Sequence, residues 1–238
     1  MRASATCLEP GFSPAQCILL AVLVALVAAP SDTGAQTRRP APKPRETLRT
    51  EPADLSCTAT LGAGVRTGRT FCDVLAGRDP SDGIIVRLPK HTGPLTLFFD
   101  LHNRHTYSAE QEKAGRAYTR YTATIGVLTM DNTLLQRAVI QSEFRKESDL
   151  FDRVAATGGV TGVKAVAPTG VESVAIDIPA GIDQVSILGE KLATTRLDGD
   201  ALYTAPGRPV AVISQVVVEY KPAAQAKKPV RRKTGRSP

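Results

Sequence analysis

The sequence predicts an all-β fold, an antiparallel β-sandwich of the jelly-roll or immunoglobulin-like type with one or two short helices. Its apolar runs between residues 54 and 221 are short, rich in β-branched residues and interrupted by Gly, Pro and Asp. Several of these runs alternate apolar and polar residues, which is typical of strands with one buried face. Residues 54–221 are therefore predicted to form one β-sandwich domain.

Ten strands are predicted in chain order, and turn-forming sequences separate several of them. The strands are Leu55–Leu61, Arg69–Leu75, Gly83–Leu88, Leu95–Asn103, Tyr118–Met130, Thr133–Phe144, Val163–Ala167, Ser173–Ile178, Gln184–Leu192 and Val210–Tyr220. Asp131 and Asn132 suit a two-residue hairpin loop, since both residue types tolerate the left-handed backbone conformation.

Alternation predicts which side chains share a buried face. One set is Leu95, Leu97, Phe99 and Leu101; a second is Tyr121, Ala123, Ile125, Val127 and Thr129; a third is Val210, Val212, Val216, Val218 and Tyr220. Successive side chains of a strand point to opposite faces, so each set is expected to lie on one side of its strand.

Two short helices are predicted between strands. Ser108, followed three residues later by Gln111, resembles a capping box and predicts a helix that continues to about Ala117. Ser148 is a second candidate N-cap, for a helix over Asp149–Ala155.

The N-terminal segment, residues 1–35, is predicted to be a secretory signal peptide. Ile18–Ala29 is an unbroken apolar run, about half of the roughly 20 residues that span a bilayer. Thr33-Gly34-Ala35 supplies small residues before a cleavage site at Gln36. The prediction is an exported protein, periplasmic or extracellular, with no transmembrane anchor after processing. The alternatives are a misassigned start and an uncleaved segment.

Two of the four cysteines, Cys7 and Cys17, lie within the predicted signal peptide. Cys57 and Cys72 remain, and an even pair in an oxidising compartment predicts a disulfide. A disulfide that closes a loop of about 15 residues stabilises the fold by about 3 kcal/mol in the chain-entropy model. Two separate buried thiols are the alternative.

Positive charge is concentrated outside the predicted domain. Residues 36–53, predicted to be a disordered Pro/Arg-rich linker, have five basic and two acidic residues, whereas residues 54–220 have seventeen basic and nineteen acidic. Residues 222–238 are predicted to be a disordered tail that binds anionic surfaces. Its basic residues are Lys227, Lys228, Arg231, Arg232, Lys233 and Arg236. A solubilising tail with no partner is the alternative, and sequence-specific nucleic-acid binding is not expected.

The histidines suggest one candidate metal site. Asp100 and His102 share a face of their predicted strand, and His91 could lie opposite them across a hairpin turn at residues 92–94. Such a set could hold a divalent metal ion with an open position for water. Against this, His105 lies on the other face, Arg104 would repel a cation, and polar residues often collect at strand ends. No other cofactor is expected.

No nucleophile elbow or phosphate-binding loop is present in the sequence. The chain has no Trp for stacking on sugars, although Tyr107, Tyr118, Tyr121 and Tyr203 could serve. We therefore expect an exported, non-catalytic binding or envelope-associated module that contacts an unknown protein or glycan. The alternatives are a metal-dependent hydrolase that uses the cluster around His102, and a subunit that adds a strand to a larger assembly.

Overall fold

Two antiparallel sheets face each other across a core of buried apolar side chains. The computed structural model describes residues 47–154 and 165–223. Its strands are β1 (Arg49–Pro52), β2 (Asp54–Ser56), β3 (Thr60–Ala63), β4 (Thr70–Leu75), β5 (Ile84–Arg87), β6 (His91–Tyr107), β7 (Thr119–Thr129), β8 (Leu134–Phe144), β9 (Ala165–Ile178), β10 (Gln184–Arg196), β11 (Gly199–Tyr203) and β12 (Pro209–Pro222). The helix α1 (Ala109–Lys113) and the 3-10 helices Pro80–Asp82 and Glu147–Asp149 complete the elements. The predicted antiparallel β-sandwich is confirmed.

Each sheet has six strands. The first has the order β3-β4-β12-β6-β9, with β1 also paired to β12, and the second has the order β2-β5-β10-β7-β8, with β11 also paired to β10. The central strands β12 and β10 are long enough to pair with two short strands along one edge, β4 and β1 in one sheet and β5 and β11 in the other.

Two of the three predicted buried faces form as expected. Leu95, Leu97, Phe99 and Leu101 of β6 are all buried, as are Tyr121, Ala123, Ile125 and Val127 of β7. The hairpin between β7 and β8 turns at Asp131 and Asn132, and Asn132 has the expected positive φ of 68°.

The third face, on β12, is only partly as predicted. A bulge shifts the pairing of β12 with β6 between Ser214 and Val217, and Gln215 within it has a φ of 51°. An extra residue reverses the inward and outward phase of a strand. Val216, Val218 and Tyr220 therefore pack in the main core, whereas Val212 packs with Phe71 and Val154 on the outer face of the first sheet.

The predicted strand Leu55–Leu61 is in fact two strands in different sheets, β2 and β3. Cys57 lies at the corner between them and forms the predicted disulfide with Cys72 of β4, across a Cα–Cα distance of 5.9 Å. Because β2 belongs to the second sheet and β4 to the first, this disulfide ties the two sheets together.

The predicted second helix, Asp149–Ala155, is wrong over its described residues. Leu150–Val154 is not helical; Phe151 and Val154 pack on the outer face of the first sheet, and we call the segment the strap. Phe151 N–H donates to the Pro168 carbonyl at 2.8 Å, so the strap bonds to β9 instead of closing a helical turn. The first helix forms but is shorter than predicted, and its N-cap Ser108 makes no side-chain capping bond.

Two boundaries also differ from prediction. Residues 49–52, placed in the disordered linker, form β1 on the edge of β12. Over the described residues, the predicted strands Val163–Ala167 and Ser173–Ile178 are parts of one strand, β9, in which Gly170 takes a positive φ of 68°. The predicted signal peptide and the six basic tail residues lie outside the described residues. Within the described ranges, no helix combines the length and apolarity needed to cross a bilayer.

Candidate functional site

A cavity of about 650 Å³ opens between the ends of strands from both sheets. We call it the end cavity. Its walls come from β6 and the start of β12 on one side and from β7, β8, β10 and β11 on the other. Its volume lies within the range of about 300–1,000 Å³ that is usual for small-molecule sites.

The walls change from apolar to polar to charged along each strand that enters the cavity. On β10, the alternate residues Leu192, Thr194 and Arg196 all line it, and only Arg196 is exposed. On β6, the inward phase of Phe99 and Leu101 continues to His105, which also lines the cavity. The apolar core therefore ends in a polar floor beneath a charged mouth.

His105 forms the centre of that floor and joins the two sheets. Its Nδ1 lies 2.7 Å from the hydroxyl oxygen of Tyr121 on β7, and its ring stacks on Phe144 of β8 at 3.8 Å between centroids. The side chain is 5% exposed, and its Nε2 has no hydrogen-bond partner among the described residues.

Thr194 carries a second unpartnered polar atom in the same cavity. The residue is 3% exposed, and its Oγ1 lacks a partner within the described part of the chain. Buried polar groups in proteins are nearly always hydrogen-bonded, so an unpaired one calls for an explanation. Both residues line the end cavity, so two unpartnered polar atoms belong to its floor.

The His105 ring is neutral at ordinary pH. Burial and, to a smaller extent, the positive charge of Arg196 together lower its pKa to about 4. A neutral imidazole presents one N–H and one bare nitrogen. Nε2 can therefore either donate or accept a hydrogen bond, depending on which way the proton of the Tyr121 bond lies.

Arginines surround the mouth of the cavity. Arg116, Arg196 and Arg208 line it and are exposed, and one carboxylate, Asp198, lies among them. The Arg208 guanidinium lies over the ring of Tyr203 at 3.9 Å. In the described chain, Arg116 and Arg196 have no carboxylate within ion-pair distance.

A fourth arginine of the cavity wall, Arg104, is held by a buried carboxylate. Its Nε donates to Asp73 Oδ1 at 3.0 Å, and Asp73 is 4% exposed. Burial raises the pKa of Asp73 to about 6, although the Arg104 charge and hydrogen bond oppose the change. Arg104 is thus already partnered, unlike Arg116 and Arg196.

The structure does not bring the predicted metal ligands together. His91 and His102 lie on one continuous strand, β6, and the predicted hairpin turn at residues 92–94 does not form. The eleven intervening steps place them about 35 Å apart at ordinary strand rise. Among the described residues, no group of three His, Cys, Asp or Glu side chains could hold a metal ion.

His102 is buried and both of its ring nitrogens are occupied. Nδ1 lies 2.7 Å from the Gly170 carbonyl, so it carries the proton, and Nε2 accepts from the Ser214 hydroxyl at 2.9 Å. Its ring packs on Phe151 of the strap at 4.5 Å between centroids. Burial lowers the pKa of His102, the largest of several effects, and the ring serves as a neutral connector between strands.

Asp100 is likewise engaged within the protein. Its Oδ2 accepts from Arg69 at 2.8 Å and its Oδ1 accepts from Ser173 at 2.9 Å. Neither oxygen bonds to His102. The alternation that correctly put Asp100 and His102 on one face therefore identified a structural network on the outside of the first sheet.

Sequence reasoning missed the more informative histidine. His105 was expected on the face opposite His102, and that face is the one directed toward the second sheet. The signal was present, because the inward set Leu95, Leu97, Phe99 and Leu101 continues at His105 with the same period of two. Of the four tyrosines considered for sugar contact, Tyr121 and Tyr203 line the end cavity.

Comparison with known proteins does not assign the chain to a family. No family model and no curated protein matches the chain. Among solved structures, it is similar to the catalytic domain of GH87 alpha-1,3-glucanase in complex with nigerose, at 13% identity and a TM-score of 0.22, over 76% of this chain and 27% of that one. It is also similar to the infectious bursal disease virus VP2 subviral particle, at 15% identity and a TM-score of 0.22, over 74% of this chain and 37% of that one. The chain thus spans less than two fifths of each of these structures, and likeness at this score carries no argument.

Proposed function

We propose that this protein is an exported, non-catalytic binding module whose end cavity holds a sugar unit of a glycan. The observation that carries the proposal is the pair of buried, unpartnered polar atoms, His105 Nε2 and Thr194 Oγ1, on the floor of one open cavity. Sugar hydroxyls both donate and accept hydrogen bonds, so they can satisfy both atoms.

The shape of the site favours a small ligand over a protein surface. Protein interfaces of stable complexes are broad and bury about 800 Å² on each partner. The end cavity is a concave site of about 650 Å³ with its polar atoms at the bottom. A protruding sugar can reach that floor, whereas a flat protein face contacts only the mouth.

The wall chemistry also favours binding over catalysis. The neutral His105 ring is stacked on Phe144 and bonded to Tyr121, which fixes its position. Among the described residues, His105 bonds to no serine or cysteine side chain, so no such nucleophile is paired with it. A fixed neutral ring with one free nitrogen is suited to orienting a ligand hydroxyl.

The regions outside the folded domain extend this proposal. The predicted signal peptide would export the chain to the periplasm or beyond, and the disulfide Cys57–Cys72 fits an oxidising compartment. The basic residues of 222–238 would then hold the module close to anionic envelope material. The module would bind glycan there.

Calorimetric titration of the full chain with monosaccharides tests the proposed function. The probes are glucose, galactose, N-acetylglucosamine, glucuronic acid and galacturonic acid. We expect saturable binding of at least one of them, and we expect Thr194→Val to weaken it about fivefold, the usual effect of losing one hydrogen bond. His105→Gln serves as the second variant if Thr194→Val does not fold.

The matched control is Thr124→Val. Thr124 is also buried, at 7% exposure, and lies on β7 away from the cavity wall. Its variant should bind like the unmodified protein. The proposal fails if none of the five sugars binds at millimolar concentration, or if the Thr194 and Thr124 variants bind equally well.

Retention by the tail needs a separate measurement. Deleting residues 224–238 leaves β12 intact and removes all six basic residues of the tail prediction. We expect the full chain to sediment with vesicles of anionic lipid at low salt and the truncated chain to stay in solution. Equal sedimentation of the two chains would contradict tethering through the tail.

A further inference from the structure

The mouth of the end cavity differs in charge from the domain that carries it. Residues 54–220 contain more acidic than basic residues, nineteen against seventeen. At the mouth the balance is reversed, because Arg116, Arg196 and Arg208 are accompanied there by one carboxylate, Asp198. Positive charge is therefore concentrated where a ligand would enter.

Among the arginines at the mouth, Arg196 is the one whose charge acts on His105 of the floor. It lies two residues after Thr194 on β10, on the same face, and its charge acts on both His105 and Tyr121. Exposed arginines elsewhere on the second sheet have carboxylate partners, as Arg120 has Glu143 and Arg137 has Glu190. Arg196 has none among the described residues, so its guanidinium is available to a ligand.

We propose that the sugar held in the end cavity is acidic, with its carboxylate bound by Arg196 at the mouth while its hydroxyls bond to His105 and Thr194 on the floor. This inference rests on the proposed function. A guanidinium matches a carboxylate through two parallel N–H donors, and such charge-assisted bonds are stronger than neutral ones. The carboxylate of Asp198 lies at the same mouth and repels an acidic ligand, so the attraction of the three arginines must exceed this repulsion.

The geometry also defines which part of the ligand carries the charge. Arg196 is exposed at the mouth, whereas Thr194 and His105 are almost fully buried. A charged group on the buried floor would lose its hydration beside a neutral histidine, which is unfavourable. The carboxylate therefore lies at the outer end of the bound sugar.

Paired titrations distinguish this inference from the proposed function. Galacturonic acid is compared with galactose, and glucuronic acid with glucose, because each pair differs only in the carboxylate. We expect the acid of at least one pair to bind about tenfold more tightly than its neutral partner, and the difference to fall as salt is added. Arg196→Gln should reduce the difference to about twofold or less, because it weakens the binding of the acid.

Arg137→Gln is the matched control for charge. Arg137 lies on β8, is exposed and pairs with Glu190, so its loss changes the net charge equally without touching the cavity. Its variant should retain the full preference for the acid.

Each other outcome overturns the inference in a distinguishable way. Equal binding of acid and neutral sugars would refute the acidic ligand and leave the proposed function standing. A preference for the acid that persists in Arg196→Gln would refute the assigned residue. Binding of glucose 6-phosphate but of neither uronic acid would refute the carboxylate. Binding of N-acetylglucosamine alone would refute the inference and leave the proposed function standing, whereas failure of all five sugars would remove both.

Discussion

His105 of β6 and Tyr121 of β7 join the two sheets through a hydrogen bond of 2.7 Å at the floor of the end cavity. Both side chains are about 5% exposed, so water does not replace this bond easily. The bond fixes the His105 ring on Phe144 and leaves its other nitrogen unpaired. The bond to Tyr121 thus both fixes the position of the His105 ring and leaves its Nε2 without a partner.

Tyr121→Phe should destabilise the protein by about 1–3 kcal/mol, because it leaves His105 Nδ1 buried without a partner. Urea unfolding followed by circular dichroism measures the change. Tyr203→Phe is the matched control, since the Tyr203 hydroxyl has no hydrogen bond among the described residues. It should change stability by less than about 0.5 kcal/mol. Equal losses in the two variants would contradict the sheet-joining role.

Protonation of His105 should make the fold less stable in mild acid. Its pKa falls from 6.5 to about 4 on folding, so the unfolded chain takes up a proton first as the pH decreases. The stability contributed by the neutral ring is complete above about pH 6.5 and is lost progressively toward pH 4. The lowered pKa of His102 acts in the same direction.

Asp73 acts in the opposite direction over part of this range. Its pKa rises from 3.8 to about 6 on folding, so the folded state gains stability as the pH falls through 6. The pH dependence of stability must therefore be compared between the unmodified protein and His105→Gln. We expect the variant to lose less stability between pH 6.5 and 4. Parallel curves for the two proteins would contradict a pKa of about 4 for His105.

Removal of the disulfide should cost about 3 kcal/mol, the value for a closed loop of 15 residues. Urea unfolding of the double variant Cys57→Ser, Cys72→Ser tests this value. The variant removes the disulfide but not the backbone pairing of β3 with β4. Because the bond ties the two sheets together, hydrogen exchange should increase most in β2. An unchanged exchange rate in β2 would contradict that role.

Asp152 should be the most sensitive residue of the strap. It accepts hydrogen bonds from the backbone N–H groups of Arg66 at 3.0 Å, Thr67 at 2.9 Å and Arg153 at 2.7 Å. Asp152→Asn replaces an acceptor oxygen by a donor amide, and we expect a loss of about 1–3 kcal/mol in urea unfolding.

Asp183→Asn is the control for Asp152→Asn, because Asp183 is exposed and has no side-chain bond among the described residues. Its variant should unfold like the unmodified protein. If both variants behave alike, the strap does not depend on Asp152.

The sequence was informative wherever one strand face is uniformly apolar. Leu95 to Leu101 and Tyr121 to Val127 alternate strictly, and both sets are buried as predicted. The pair Cys57 and Cys72 could also be predicted, since an exported chain favours a disulfide. In each case the information is local in the sequence.

What could not be predicted depends on contacts between distant segments. The bulge at Gln215 reverses the phase of β12, and no turn residue marks it. The strap has helix-compatible residues but finds backbone partners on β9. The end cavity requires the ends of β6, β7 and β10 to meet, so only the fold shows that His105 and Thr194 share one floor.

Sugar binding at the floor of the end cavity is tested most directly by the histidine ring nitrogen chemical shifts of the full chain, measured during titration with galacturonic acid. We expect the Nε2 signal of His105 to shift in a saturable manner, with the same dissociation constant as in calorimetry. The signals of His102 should stay unchanged, because both its nitrogens bond within the protein. Saturable binding that leaves the His105 Nε2 signal unshifted would place the ligand elsewhere and contradict binding at the floor of the end cavity.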